Sequence, residues 1–177
     1  YKLKIFRVFN IAQCEGIEPV RDVKPVVVDV EPIQSAEIVI QGFIDRPQIQ
    51  EVEQSKAYYS PVRDLVVMPK KNQFDKVDNF YKVLFHELVH STGHSDRLNR
   101  KGVSTMGKTE NTYAFEELIA ESGAMMLSSY VGLETCDKNS QAYVNGWIKA
   151  VDQSPSKAIV SALTQSTKAT DYILSNK

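Results

Sequence analysis

The chain has 177 residues, 42% of them hydrophobic, which is enough for one well-packed core and short for two. Its 21 Lys and Arg side chains nearly balance 22 Asp and Glu, so no strong net field favours nucleic acid or an anionic membrane. The two cysteines, Cys14 and Cys136, form no C-x-x-C pair, which indicates a reducing compartment rather than a disulfide scaffold. We expect one domain over residues 1–177, with no apolar run long enough to span a membrane.

The first part of the chain predicts two strands and a helix. The sequence begins at Tyr1 rather than Met, from which we expect a fragment or processed form of a longer protein. Residues 3–9 are rich in β-branched and aromatic types and predict an exposed strand, and residues 26–30 predict a second, short one. In residues 33–44 apolar side chains recur at helical intervals, which predicts a helix ending near Gly42.

Three short strands are predicted next, over Ile49–Val52, Ala57–Ser60 and Asp64–Met68, separated by polar or proline-bearing turns. Together they predict a small, mostly antiparallel sheet just before the next helix, and therefore an α+β fold. An exposed edge strand can pair with an extended peptide, although an edge strand that only covers the core is equally consistent with the sequence.

The strongest chemical signal is the H-E-x-x-H motif of His86-Glu87-Leu88-Val89-His90. Residues four apart share one face of a helix, so His86 and His90 can direct two imidazoles at one Zn²⁺. Glu87 lies beside that face, where it can reach a metal-bound water without binding the metal. This is the position of a general base in metal-assisted hydrolysis.

The helix that carries this motif is predicted to be buried. Asp75 or Asp78 is a candidate N-cap, and Gly93 is a candidate stop after the second histidine. Apolar residues recur at helical spacing through it: Phe80, Tyr81, Leu84, Phe85, Leu88 and Val89. Burying two histidines and a glutamate is costly unless they are paired or coordinated, so a metal site explains the pattern better than an ordinary core helix.

A second long helix is predicted over residues 112–131, capped by Asn111 or Thr112. It carries Glu117 and Glu121 on one face among small side chains. The last part of the chain predicts helices that close the core. One begins at Ser154-Pro155, runs to about Leu174 and has Leu163 and Ile173 among its inward-facing residues.

Catalytic zinc usually takes three protein ligands and a water, so a third ligand is needed. His94 would share the histidine face if the helix continued, and Asp96 stands where H-E-x-x-H-x-x-G-x-x-H places its last ligand. Glu117 is favoured, because a second helix with a small-residue face can bring a carboxylate close to the first. Glu121 is then expected to accept the free ring N–H of a ligating histidine. The alternative for Glu117 and Glu121 is that both lie on a solvent-exposed face of the helix and take no part in a metal site.

These segments together resemble the zincin-like metallopeptidase domain of ArdC-type antirestriction proteins. The residues that carry the resemblance are Val8–Asn10, Tyr58–Pro61, Asp64, Met68-Pro69, Phe74, His86–His94, Arg97–Arg100, Tyr113–Glu121 and Ala169–Leu174. Ser91 departs from it, since the family commonly has Trp there. The resemblance implies a sheet packed on the H-E-x-x-H helix and further C-terminal helices, and Glu117 as a ligand by the Glu-x-x-Ala-Glu/Asp pattern of related zincins.

The resemblance further implies a protein of a conjugative plasmid or other mobile element that acts in the bacterial cytoplasm. It also implies a single-stranded-DNA-binding domain that precedes this chain. We therefore expect a zinc-dependent peptidase acting on a protein or peptide, with Glu87 as base and Tyr113 as a candidate oxyanion donor.

Two alternatives stay open. A non-catalytic zinc module could protect DNA by binding DNA or restriction enzymes, and a fourth ligand from His94 or Asp96 would favour it. Direct DNA binding by this chain is the other alternative, and the balanced charge disfavours it.

Overall fold

The computed structural model describes residues 32–104, 109–133 and 155–175. The strands predicted over residues 3–9 and 26–30 lie outside these ranges. Within them the chain forms five helices, three strands and a 3-10 turn at Lys71–Gln73, which confirms the α+β class. In chain order the helices and strands are α1 (Pro32–Gly42), β1 (Gln48–Val52), β2 (Tyr58–Ser60), β3 (Leu65–Pro69), α2 (Val77–Ser91), α3 (Lys101–Ser104), α4 (Glu110–Tyr130) and α5 (Pro155–Ser175).

The sheet is mixed, so the expectation of a mostly antiparallel sheet is wrong. The strand order is β1-β3-β2. β1 runs parallel to β3, with Gln48 opposite Leu65, whereas β2 runs antiparallel to β3, with Tyr58 opposite Val67. The short turn between β2 and β3 makes an antiparallel pair, while β1 pairs with β3 from the other side through a longer connection. β3 is central, and all five of its residues are buried.

The helix α2 begins at Val77, and its N-cap residue Lys76 makes no side-chain capping bond. The prediction of Asp75 or Asp78 as the cap is therefore wrong. Asp78 lies inside the first turn instead, where its negative charge is favourable at the positive end of the helix dipole. The helix ends at Ser91, directly before Thr92 and Gly93, as predicted.

The helix α4 begins earlier than predicted. Its N-cap is Thr109, whose hydroxyl oxygen accepts a hydrogen bond from the Thr112 amide at 3.2 Å. The backbone of Thr109 is extended, as a capping residue requires, and the predicted caps Asn111 and Thr112 are already inside the helix, so that prediction is wrong. The helix ends at Tyr130, and Gly132 then takes the left-handed conformation with φ of 82°.

The core lies where α2, α4 and α5 pack on one another and on the sheet. Its largest fully buried side chains include Phe43, Met68, Phe80, Tyr81, Phe85, Leu88, Ile119, Leu127 and Ile173. Gly123 lets α4 approach α2 closely, because a Cβ atom there would lie 2.8 Å from Val89 Cγ2. This approach brings the carboxylates of α4 next to the histidines of α2.

The buried face of α5 is made mostly of small residues: Ala158, Ala162, Ser166, Ala169 and Ile173. The predicted inward position of Ile173 is confirmed, but Leu163 is 41% exposed, so that prediction is wrong. The Ser166 hydroxyl donates to the Ile119 carbonyl of α4 at 2.9 Å, a contact that a large side chain would prevent. In the described part of the chain, no helix is long and apolar enough to cross a membrane.

Candidate metal centre

The helices α2 and α4 bring three side chains together. His86 and His90 face each other across one turn of α2, with 3.1 Å between their Nε2 atoms. Glu117 of α4 reaches both, with Oε2 3.4 Å from His86 Nε2 and Oε1 3.4 Å from His90 Nε2. One ligand atom from each of the three residues therefore lies within 4.8 Å of the others.

These separations fit a single tetrahedral ion. Ligand atoms about 2.05 Å from zinc at the corners of a tetrahedron lie about 3.3 Å apart. The two Nε2 atoms are 3.1 Å apart, and each lies 3.4 Å from a different oxygen of Glu117, so each of these contacts is close to that edge length. Two imidazoles and one carboxylate are also a donor set that catalytic zinc sites use, with one corner left open. The cluster could therefore hold a metal ion.

The electrostatics of the cluster favour positive charge between its members. Burial by itself lowers the pKa of His90, but hydrogen bonds with Glu116 and Glu117 and the charge of Glu87 raise it to about 10. Burial by itself raises the pKa of Glu117, but its bonds to both histidines hold that pKa well below its usual value. A proton and a metal cation therefore compete for the same place.

The other nitrogen of each imidazole faces a further carboxylate of α4. His86 Nδ1 lies 3.6 Å from Glu121 Oε1, and His90 Nδ1 lies 3.4 Å from Glu116 Oε1. The sequence pattern predicts the contact of Glu121 with a histidine, but it does not predict that of Glu116. Neighbouring residues of a helix point about 100° apart, so Glu116 and Glu117 reach His90 from different sides.

Arg100 forms a buried ion pair with Glu116 at 2.7 Å, and no local pattern in the sequence predicts this contact. Arg100 belongs to the Arg97–Arg100 segment that carries part of the family resemblance. The family resemblance is therefore the one sequence feature that marks Arg100. Without it, a charged residue in a loop is expected to face solvent.

The alternative ligands His94 and Asp96 contact each other. The Asp96 amide donates to His94 Nδ1 at 3.2 Å, and the Asp96 carboxylate lies 3.7 Å from the same nitrogen. Because α2 ends at Ser91, His94 does not continue the histidine face of the helix. In the described residues, the group of ligand atoms close enough for one ion comprises His86, His90 and Glu117, without these two.

Glu87 and Tyr113 lie at the edge of the cluster. Glu87 is buried, at 7% exposure, and its charge acts on both His90 and Tyr113. Burial, the charge of Glu117 and a hydrogen bond with Glu117 raise the pKa of Tyr113 to about 12. The Tyr113 hydroxyl therefore stays protonated at neutral pH and can donate a hydrogen bond.

Comparison with known proteins gives a consistent family. The profile of the zincin-like metallopeptidase family MPTase-PolyVal matches residues 40–165. The chain is 34% identical over 167 residues to a DNA primase TraC of Escherichia coli, aligning 94% of this chain with 15% of that protein. It is 31% identical over 170 residues to the uncharacterized protein y4eC of Sinorhizobium fredii, aligning 95% of this chain with 52% of that one.

Solved structures of the antirestriction protein ArdC from plasmid R388 share the fold. The Mn(II)-bound structure matches with a TM-score of 0.67 at 33% identity, over 81% of this chain and 52% of that one. The metal-free structure matches with a TM-score of 0.64 at 33% identity, over 80% and 49%. The chain thus spans about half the length of ArdC and of y4eC, and a much smaller part of TraC.

Proposed function

The chain belongs to the zincin-like metallopeptidase family, as its resemblance to ArdC-type proteins predicted, and from this premise we propose that it is a zinc-dependent peptidase domain. The observation that carries the proposal is the cluster of His86, His90 and Glu117, whose ligand atoms lie within 4.8 Å of one another next to buried Glu87. We further propose that it is part of an antirestriction-type protein of a mobile element, acting in the cytoplasm.

Zinc is the metal that we propose for the site. The Mn(II) ion named in the ArdC structure belongs to that protein. For a given nitrogen and oxygen site, Zn²⁺ binds more tightly than Mn²⁺, and two imidazoles increase the preference. Competition between the two ions for the purified chain should therefore favour zinc.

In the proposed reaction, His86, His90 and Glu117 hold the metal, which would lower the pKa of a water molecule and polarise the scissile carbonyl. Glu87 takes a proton from the attacking water and later delivers it to the leaving amine. The Tyr113 hydroxyl donates a hydrogen bond to the carbonyl oxygen as that oxygen gains negative charge. The hydrogen bond between Tyr113 and Glu117 supports this role, since it holds the Tyr113 hydroxyl beside the proposed metal ligands.

The proposed substrate is an extended segment of a protein. In the sheet formed by the described residues, β2 is at one edge, and it contacts α2, the helix that carries the histidines. A substrate strand added to this edge would use backbone hydrogen bonds, which are independent of sequence, and side-chain pockets would then select the residue at the cleavage point.

A non-catalytic role is the second candidate, and the names of the similar proteins favour it. They name DNA priming and antirestriction, not proteolysis. Such a module would hold zinc with a closed set of four protein ligands. Among the described residues, His94 and Asp96 pair with each other and lie outside the group of close ligand atoms, which supports an open site and therefore catalysis instead. In both proposals, a domain N-terminal to this chain contacts single-stranded DNA. The chain itself has a net charge of −1, which gives little attraction for phosphates.

The test compares zinc content and cleavage of casein, and of a restriction endonuclease, for wild type and Glu87→Gln. Loss of a general base should lower cleavage by about 10²–10⁴-fold while bound zinc is unchanged. Glu53→Gln is the matched control, because Glu53 makes an exposed ion pair with Lys70 away from the cluster. If wild type binds zinc and cleaves neither protein, the binding module replaces the peptidase.

A further inference from the structure

We propose that Glu116 and Arg100 form a positioning pair for His90, which fixes the protonated nitrogen and the orientation of its ring so that Nε2 faces the metal. The inference rests on the metal centre proposed above and not on peptidase activity. It assigns a function to two buried charged residues that neither bind the metal nor contact a substrate.

The contact between Glu116 and His90 lies on the far side of the ring from Glu117. His90 Nδ1 is 3.4 Å from Glu116 Oε1, while His90 Nε2 is 3.4 Å from Glu117 Oε1. A neutral imidazole that binds a metal through Nε2 must carry its hydrogen on Nδ1. An ionised carboxylate can only accept, so Glu116 stabilises this tautomer and restrains rotation of the ring.

Arg100 holds Glu116 with a two-pronged contact. Arg100 Nε donates to Glu116 Oε2 at 3.1 Å, and Nη2 donates to Oε1 at 2.7 Å. The same guanidinium also donates to Thr92 Oγ1 at 2.6 Å and to the Val89 carbonyl at 2.7 Å. Arg100 is thus anchored to the C-terminal end of α2, the helix that carries His90, where a cation also suits the helix dipole.

The loop after α2 is folded to place Arg100 there. The Arg100 amide donates to the Gly93 carbonyl at 3.0 Å, and the Leu98 amide donates to the Thr92 carbonyl at 2.8 Å. Asn99, directly before Arg100, takes the left-handed conformation with φ of 47°, which turns the chain back toward the helix.

Two glycines make room for the pair. A Cβ atom on Gly102 would lie 2.9 Å from Glu116 Oε2. A Cβ atom on Gly93 would overlap the Val103 side chain and lie 3.1 Å from Arg100 Nη2. A side chain at either glycine would therefore displace one member of the pair, so the two glycines allow Glu116 and Arg100 to lie where they contact each other and His90.

The test measures zinc affinity and the imidazole ¹⁵N spectrum of the zinc-loaded 177-residue chain for wild type, Glu116→Gln and Arg100→Lys. In Glu116→Gln the side chain keeps its size, but its NH₂ must face either Arg100 or His90 Nδ1, and both are donors. We expect zinc affinity to fall by about 10–100-fold and the His90 Nδ1 signal to shift, while that of His86 is unchanged. Arg100→Lys keeps the positive charge but cannot make the bidentate contact with Glu116. Its loss of zinc affinity should therefore lie between wild type and Glu116→Gln.

Glu37→Gln is the matched control. Glu37 is also a carboxylate that accepts from a cation, Lys71, and from a hydroxyl, Tyr81, but it contacts no histidine. It should leave both zinc affinity and the His90 spectrum unchanged, even if it lowers the melting temperature. A similar loss of zinc in Glu37→Gln would mean that general destabilisation explains the result.

The remaining outcomes are decisive for separate claims. If Glu116→Gln folds and binds zinc within threefold of wild type with an unchanged His90 signal, the positioning role is wrong and the metal centre stands. If Glu116→Gln does not fold, Arg100→Lys decides by the same two readouts. If zinc binding responds as expected but wild type cleaves no protein, the positioning role stands and the peptidase proposal fails. A wild type that binds no zinc overturns both.

Discussion

Zinc binding to this chain should become tighter as the pH rises, well beyond the range of an ordinary histidine. The Glu116, Glu117 and Glu87 carboxylates raise the pKa of His90 to about 10 despite its burial, so in the metal-free protein its imidazole is protonated at neutral pH. Zinc binds the neutral form and must displace that proton. Because the pKa of the metal-free form is raised, the competition is strongest at low pH and ends as the pH passes about 10.

The size of the effect follows from the distance between pH 7 and a pKa of about 10. Three pH units correspond to about 10³-fold weaker apparent affinity, or about 4 kcal/mol. Between pH 6.5 and 8.5 the affinity should rise about tenfold per unit, measured by titration against a chelator of known strength. Calorimetry in buffers of different ionisation enthalpy should find at least one proton released per zinc.

A water molecule bound to zinc can also lose a proton near pH 7, so the proton must be assigned independently. An NMR titration of the metal-free chain makes the assignment, since the His90 ring should stay protonated through pH 8.5. If the ring titrates with a pKa near 6.5 and zinc affinity levels off above pH 7.5, the carboxylates do not act on His90 as the geometry indicates.

Two further variants test the cluster and the packing that forms it. Glu117→Ala removes the carboxylate that lies 3.4 Å from both imidazoles. Zinc affinity, measured by equilibrium titration, should fall by at least about 10²-fold. If the variant kept the full affinity, another residue would be the third ligand. Gly123→Ala places a methyl group 2.8 Å from Val89 Cγ2, and the resulting overpacking should destabilise the fold by about 1–3 kcal/mol in urea unfolding. A variant as stable as wild type would mean that α4 can move away from α2 at little cost.

Local features of the site could be predicted from the sequence, because they depend on helix geometry alone. A separation of four residues places His86 and His90 on one face of any helix, and the structure has their Nε2 atoms 3.1 Å apart. The prediction of the three described strands agrees with the structure to within one residue at every end, since short apolar runs bounded by turn residues are local signals.

Whether neighbouring strands pair in parallel or antiparallel could not be predicted. The alternation of apolar and polar side chains along a strand carries no information about the direction of its neighbour. β1 and β2 have five and three residues, and either a hairpin or a crossover can follow from such short segments. The inward face of α5 was missed for a different reason. A search for large apolar residues selected Leu163, whereas close contact with α4 requires Ala158, Ala162 and Ser166.

The carboxylate behind His90 was missed because its burial depends on a partner far along the chain. Glu116 and Glu117 look alike in sequence, and a glutamate is rarely buried unless it is paired. The partner, Arg100, comes from a loop 16 residues earlier that folds back onto the end of α2. Only the three-dimensional arrangement shows that Glu117 lies between the two histidines, whereas Glu116 lies between His90 and Arg100.

The charge that α4 adds to the H-E-x-x-H motif also favours a divalent cation at the site. Four carboxylates, from Glu87, Glu116, Glu117 and Glu121, act on two imidazoles, and Arg100 balances one of them. The raised pKa of His90 shows that a proton partly compensates the remainder when no metal is bound. A dication compensates it more fully and keeps the carboxylates ionised. Metal binding should therefore stabilise the packing of α4 against α2 as well as prepare the site for chemistry.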